Sequence, residues 1–453
     1  MPATISTTAE AARPPACLKR ALGPVQIAFY GLGSMLGAGI YGLIGVAAGQ
    51  MGPAVWLAFG VALVAALLTG LTYASVGSRY PRAAGAAYVT QRAFRTPLLS
   101  YTVGLAVTAS GLTSAATQAR VVANNLQRVD WLAAVPEVIL ALGFILILAG
   151  IVIRGIKESA WLNLACTAVE ALGLLLVIAV GVSFWGSTDL TQTPAGPIAF
   201  DYATASLAMQ GAVLTFFSFI GFEDILNMGE EVKEPHTTMP IGIVAAMVMA
   251  AVIYMAVAIT AVSVVPWQEL KDAKGPLVEV VARAAPWFPP ALFVVITIFA
   301  VTNTALVNFV TSSRLTYGMA THGLLPARLG RVHRTRRTPH VAVLVLLAII
   351  ATLVAIGNVA QLASATVLLL LLAFTVVNAG LLVLKRRPGE PKGRFEVPSF
   401  VPLLGAIICA ALLLVRAVTG DWQAPALAGA LIAAILIMYQ VMHTKTPVLE
   451  DDG

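Results

Sequence analysis

The chain alternates long apolar stretches with short polar ones. Residues 21 to 78 contain no Asp, Glu, Lys or Arg, and the cluster Gly49-Gln50-Met51-Gly52-Pro53 supplies the turn chemistry that divides them into two helices. A spanning helix needs roughly 20 apolar residues, because each residue rises about 1.5 Å through a hydrocarbon core about 30 Å thick. The same rule predicts spans over 98–119, 136–153, 159–184, 204–228, 240–265, 288–313, 340–357, 360–384, 401–418 and 423–443. The pattern predicts an all-α membrane protein with 12 transmembrane helices over 21–443, between an N-terminal tail, 1–20, and a C-terminal tail, 444–453.

Composition agrees: 59% of the 453 residues are hydrophobic and 11% charged, against roughly a quarter charged in a soluble domain. The first 20 residues are polar and the apolar stretch after them is far longer than a signal-peptide core, so no cleaved segment is expected. Lys and Arg accumulate in cytoplasmic loops. With both termini inside, 22 of the 28 basic residues fall on the cytoplasmic side, which predicts a multi-pass protein of the plasma membrane with both tails cytoplasmic. The net charge of +7 is carried by inter-span runs such as Arg328 to Arg337 and Lys385 to Arg394, where an anionic lipid surface explains it and a nucleic-acid partner is not needed. Cys17, Cys166 and Cys409 are scattered and form neither a disulfide framework nor a metal-ligand spacing; no cofactor or metal is expected.

Two spans are interrupted. The first carries Gly31-Leu32-Gly33-Ser34-Met35-Leu36-Gly37-Ala38-Gly39-Ile40-Tyr41, and glycine disfavours a helix interior by about 1 kcal/mol each. Gly33 and Gly37, four apart, also fit simple close helix packing. The sixth span carries Phe217-Ser218-Phe219-Ile220-Gly221-Phe222-Glu223-Asp224, with two acids at membrane depth, where acids face a bundle interior or a water-filled cavity. The two interruptions fall in the first helix of each of two five-helix halves, 21–184 and 204–384. Paired interruptions of this kind point to an inverted-repeat transporter whose site lies at the midplane.

These segments, together with Ser78-Arg79-Tyr80-Pro81-Arg82-Ala83-Ala84-Gly85-Ala86-Ala87-Tyr88, Glu230-Glu231-Val232-Lys233-Glu234-Pro235 and Ser313-Arg314-Leu315-Thr316-Tyr317-Gly318, resemble permeases of the amino acid-polyamine-organocation superfamily in spacing and order over nearly the whole chain. The resemblance implies a LeuT-like fold: two five-helix inverted repeats, helices 1 and 6 unwound, and two further C-terminal helices over 401–443. It also implies a secondary transporter of an amino acid or a related amine. Family members often carry an acid just before the Arg-Tyr-Pro string; here Ser75-Val76-Gly77 stands there, so an inner ion pair built on that acid is not expected.

Residue by residue, freed N–H groups around Gly37, Ala38 and Gly39 suit a substrate carboxylate, helped by the N-terminus of the half-helix that follows, with Met35 and Ile40 beside them as further substrate-site candidates. Freed carbonyls near Phe217, Ser218 and Ile220 suit an ammonium. Phe217 matches the family's closing aromatic, with plain core packing as the alternative. Glu223 matches an acid after the unwound segment and fits a structural acid equally. Glu170 is the lone acid midway along the fifth span and a candidate for proton coupling or for a bond across to the first or eighth span. The eighth span offers Thr302, Asn303, Asn308, Thr311 and Ser312, of which Asn303 is a substrate-site candidate; Glu230, Glu231, Lys233 and Glu234 are candidates for loop ion pairs. The expected partners are an amino acid or small amine, the lipid bilayer and a coupling proton, with sodium or exchange as alternatives. An enzyme is disfavoured because no nucleophile and base cluster at membrane depth. A channel is disfavoured because the breaks are paired within one chain. A substrate-sensing receptor would share every residue named.

Overall fold

The computed structural model describes residues 22–80, 85–154, 160–228, 232–321, 324–333, 338–419 and 422–442. Both tails, Arg82, Glu158, Glu230, Glu231 and Arg334 to Arg337 lie outside the described residues, as do the side chains of Cys166 and Asn227.

The described chain is helical throughout, apart from a small hairpin pairing Gln192–Thr193 with Gly196–Pro197. The first apolar stretch is α1, Pro24–Met35, then α2, Ala38–Met51, and α3, Val55–Arg79. A 3-10 turn from Gly52 to Ala54 makes the predicted division, and Gly52 adopts φ +63°, open to glycine at no steric cost. The first half continues with α4, Gly85–Phe94; α5, Pro97–Leu126; α6, Glu137–Arg154; and α7, Ala160–Gly181. The second half is α8, Tyr202–Phe216; α9, Pro235–Val264; two short helices, α10, Trp267–Asp272, and α11, Pro276–Ala284; then α12, Pro290–Thr321; α13, His340–Ile356; and α14, Val359–Arg386. The chain closes with α15, Phe400–Val418, and α16, Gln423–Met442.

Ten helical stretches among the described residues are long and apolar enough to cross a membrane, one of them, Ala38 to Arg79, taking in α2, the Gly52–Ala54 turn and α3; α13 is a shorter apolar helix of 17 residues. Three helices were not anticipated. α4, α10 and α11 are too short and too polar to read as spans, and form because an amphipathic segment beside the bundle buries one face. α11 buries Leu277, Val278, Val280 and Val281, while α10 lays the Leu270 carbonyl and the Lys271 stem over Gly45 and Gly49 of α2.

Packing relates the halves. α1 lies on α9 as α8 lies on α3; α5 lies on α14 as α12 lies on α7; and α3 with α9, α5 with α12 and α6 with α13 pair across. Small residues set the closest approaches: an added Cβ at Gly211 of α8 would stand 2.9 Å from Ala58 of α3, and one at Gly77 would stand 2.8 Å from Leu226. α15 packs against α3 and α14, and α16 against α5 and α14, with much of α16 facing outward.

One end of the bundle is clasped by the segment between α14 and α15. Arg79, 8% exposed, donates from Nε and Nη2 to the two carboxylate oxygens of Glu396 at 2.6 and 2.7 Å, and Lys385 reaches the same carboxylate at 3.0 Å. Glu390 accepts from Tyr80 at 2.6 Å and from Arg92 of α4 at 2.8 Å. Arg79 thus has a partner despite the absence of an acid before the Arg-Tyr-Pro string; its acid arrives from a distant loop. Glu396 pays for some burial, but bonds from Arg79, the Gly393 N–H and Lys385 hold its carboxyl down at about 2. A depressed carboxyl contributes stability above its unfolded value, near 4.5, that is lost as pH falls toward 2. Glu396→Gln should therefore lower the melting temperature at neutral pH by ~2–4 °C, for a pair worth about 1 kcal/mol, and flatten the loss of stability between pH 4.5 and 2. Thermal scans across that range check it; an unchanged acid limb would show that the clasp contributes nothing.

Candidate functional site

Inside a membrane every backbone polar group must find a partner within the protein. The site begins where two helices stop obeying their own hydrogen-bond ladders. α1 ends when Leu36 turns to φ −66°, ψ 130° and Gly37 follows extended; α2 restarts at Ala38, where Tyr41 is the first N–H to find a helical acceptor, Gly37 O, at 3.1 Å. The first N–H groups of α2 are therefore left without helical acceptors. The carbonyls orphaned at the end of α1 are taken by hydroxyls from other helices: Tyr254 of α9 donates to Met35 O at 2.8 Å and Thr304 of α12 to Leu36 O at 2.7 Å.

The second interruption follows α8. A 3-10 turn covers Phe217–Phe219, Ile220 is extended, Gly221 takes φ +126°, and a further 3-10 segment runs over Phe222–Met228. Gly221 N–H donates to Glu223 Oε2 at 2.9 Å, which realises the structural bond between acid and break. The two interruptions touch. A Cβ at Gly221 would stand 2.5 Å from Ser34 O, and one at Gly39 would stand 2.5 Å from Ser218 Cα. Glycine is required at Gly221 twice over, by φ and by space.

A cavity of ≈ 140 Å³ lies against both breaks. Met35, Gly37, Ala38, Gly39, Phe217, Ile220 and Glu223 line it, as does Asp224. Ile40, Ser218, Asn303 and Glu170 do not: Ile40 and Ser218 are fully buried behind the wall, with Ser218 packed under Gly39. Glu170, also fully buried, accepts from Asn303 Nδ2 at 2.9 Å through Oε1, while its Oε2 has no hydrogen-bond partner among the described residues. Its main-chain carbonyl accepts from Tyr41 of α2 at 2.7 Å. The fifth span is therefore bonded to the eighth through the Glu170 side chain and to the first through the Glu170 backbone. Lys233 enters through its backbone, donating to Leu22 O at 2.9 Å beside the Leu22–Val232 bridge, so the entry to α1 is tied to the segment after the second break.

The cavity also has a face the sequence reading overlooked. Ser110, Ser114 and Gln118 recur every four residues on α5, opposite Asn308 and Ser312 of α12. Tyr73 of α3 and Ser34 add hydroxyls. The missed signal was polarity: α5 has mean hydropathy 1.2 over its best window, the lowest of the ten, yet 78% of that window is buried. A polar span hidden from lipid lines something.

A bundle of membrane-length helices with a cavity against two interrupted helices defines a multi-pass membrane protein of the transporter class. The amino acid permease model matches residues 22–441, and the chain belongs to that family, within the amino acid-polyamine-organocation superfamily. It is 30% identical to mouse cationic amino acid transporter 4 over 83% of this chain and 61% of that protein. It is 29% identical to the methylthioribose transporter of Bacillus subtilis, covering 86% of this chain and 87% of the relative. The branched-chain amino acid permease BcaP of the same bacterium is 26% identical over 88% of each. The chain thus spans less than two thirds of the length of the mouse relative.

The contact between the breaks predicts the effect of filling it. Gly39→Val should abolish substrate binding in a protein that still folds, because the new side chain enters the space held by Ser218. Gly143→Ala, where an added Cβ meets nothing within 4 Å, should be neutral or gain up to about 1 kcal/mol from helix propensity. Ligand-induced thermal stabilisation of the purified variants checks both; normal binding by Gly39→Val would remove the breaks from the site.

Proposed function

We propose that the chain is a secondary active transporter that carries an amino acid, or a closely related amine, across the plasma membrane by alternating access. The observation that carries this reading is the contact of two backbone interruptions at one cavity. Counting α1 with α2, and α8 with the segment after it, as single spans gives twelve. The exchange of packing partners between halves, α1 on α9 against α8 on α3, is what an inverted repeat produces.

In this reading the substrate carboxylate is held by the free N–H groups at the start of α2, around Gly37, Ala38 and Gly39, where the helix dipole favours negative charge. The ammonium faces the carbonyl end of the segment around Phe217 and Ile220. Phe217, which lines the cavity while only 5% exposed, is positioned to close over the bound molecule. The cavity runs from the breaks to Gly85, Ala86 and Ala87 of α4. In this reading, with both termini cytoplasmic, that end of the cavity is its cytoplasmic end. Uptake of labelled amino acids and amines into proteoliposomes, with and without pH and sodium gradients, tests the function; no uptake or exchange of any of them would refute it.

Proton coupling is assigned to Glu170. It has one oxygen bonded to Asn303 and one without a partner among the described residues, and it sits on α7, which packs against α1, α9 and α12 around the break. A carboxyl with a vacant oxygen at membrane depth can take up a proton when the helices around it rearrange. Glu170→Gln preserves shape and mimics the neutral form. It should retain substrate binding but lose accumulation driven by an imposed pH gradient, measured in proteoliposomes; accumulation as steep as wild type would make Glu170 structural.

A further inference from the structure

The two breaks account for the charged ends common to every amino acid but leave open what selects the side chain. The opposite wall of the cavity carries a hydrogen-bonded cluster that no part of the transport reading uses. Ser114 Oγ receives two N–H groups, from Gln118 Nε2 at 3.1 Å and from Asn308 Nδ2 at 3.0 Å. Both lone pairs of that oxygen are thereby engaged and its own hydrogen remains to be donated. Gln118 is 1% exposed, lines the cavity, and its Oε1 has no hydrogen-bond partner among the described residues. A buried amide oxygen without a donor is costly, and a site built around one discriminates strongly between ligands that supply the donor and ligands that do not.

The rest of the lining narrows the choice. Glu223 and Asp224 are its only ionisable groups besides Tyr73, and no Lys, Arg or His lines the cavity among the described residues. A carboxylate side chain would leave Gln118 Oε1 unpaired and add a third acid to a cavity already lined by Glu223 and Asp224. An aliphatic one would leave Gln118 Oε1 unpaired.

We propose that Ser114, Gln118 and Asn308 form the side-chain pocket, and that they select amino acids whose side chain ends in an N–H or O–H donor over aliphatic and acidic ones of similar size. The donor pairs with Gln118 Oε1; the Ser114 hydroxyl is available to any acceptor beside it. This assignment rests on the transport reading for its substrate and names the class that the same cavity takes.

Binding is measured by ligand-induced thermal stabilisation of the purified full chain, with glutamine, lysine, leucine, methionine and glutamate as probes. The expected result is that glutamine or lysine binds at least about tenfold more tightly than leucine, methionine and glutamate. Gln118→Met and Asn308→Leu, two separate variants in case one fails to fold, should each bring glutamine and methionine to within about threefold of one another. Leucine or methionine binding as tightly as the donor-bearing probes, or an unchanged ratio in a folded variant, overturns the pocket while leaving transport standing. Uptake in proteoliposomes with no such preference separates the two failures, because absence of both uptake and binding overturns the transport reading itself.

Discussion

The structure depends on the contact between two stretches of backbone that have abandoned helical hydrogen bonding in the same layer of the membrane. Each stretch alone would leave N–H and C=O groups without partners where water cannot reach them, at a cost of several kcal/mol per group. Together they share one neighbourhood. Gly221 lies against Ser34 and Met35, Gly39 against Ser218, and the orphaned carbonyls of Met35 and Leu36 are met by Tyr254 and Thr304. The donors at the start of α2 have no helical acceptor, and Gly37, Ala38 and Gly39 there line the cavity. The break is thus supported from one side by helices of the second half and open to the cavity on the other.

The surrounding architecture holds that contact in place. Tyr254 comes from α9, Thr304 and Asn303 from α12, Glu170 from α7, and each bonds to an element around the breaks rather than within its own helix. The entry to α1 is paired with the segment after the second break through Leu22 and Val232. At the end carrying α4, Glu396 and Glu390 draw α3, α4 and α14 together through Arg79, Arg92 and Lys385.

Much of the fold was legible because lipid imposes one requirement on every span: about 20 apolar residues per helix, with turn chemistry between. The predicted limits at 136–153, 401–418 and 423–443 fall within a residue or two of α6, α15 and α16. Both breaks were visible, since glycine clusters and acids are out of place in a span. What stayed hidden depends on distance in sequence. Nothing near Glu170 announces Asn303, 133 residues away, and nothing near Arg79 announces Glu396, 317 away. Ser218 and Ile40 sit on segments that line the cavity but turn away from it, because the residue at which each helix stops or restarts sets which side chains face inward, and a glycine cluster does not give that register. The polar face of α5 was readable, but it was hidden by treating the span as apolar on average.

The central claim is that both interruptions bind the same molecule. Hydrogen exchange of the full chain in lipid nanodiscs, with and without a transported amino acid, addresses it directly. The account predicts that amides at 36–40 and at 217–222 both gain protection when the ligand is present. Protection of only one of these segments, or protection confined to helices away from the cavity, would contradict it.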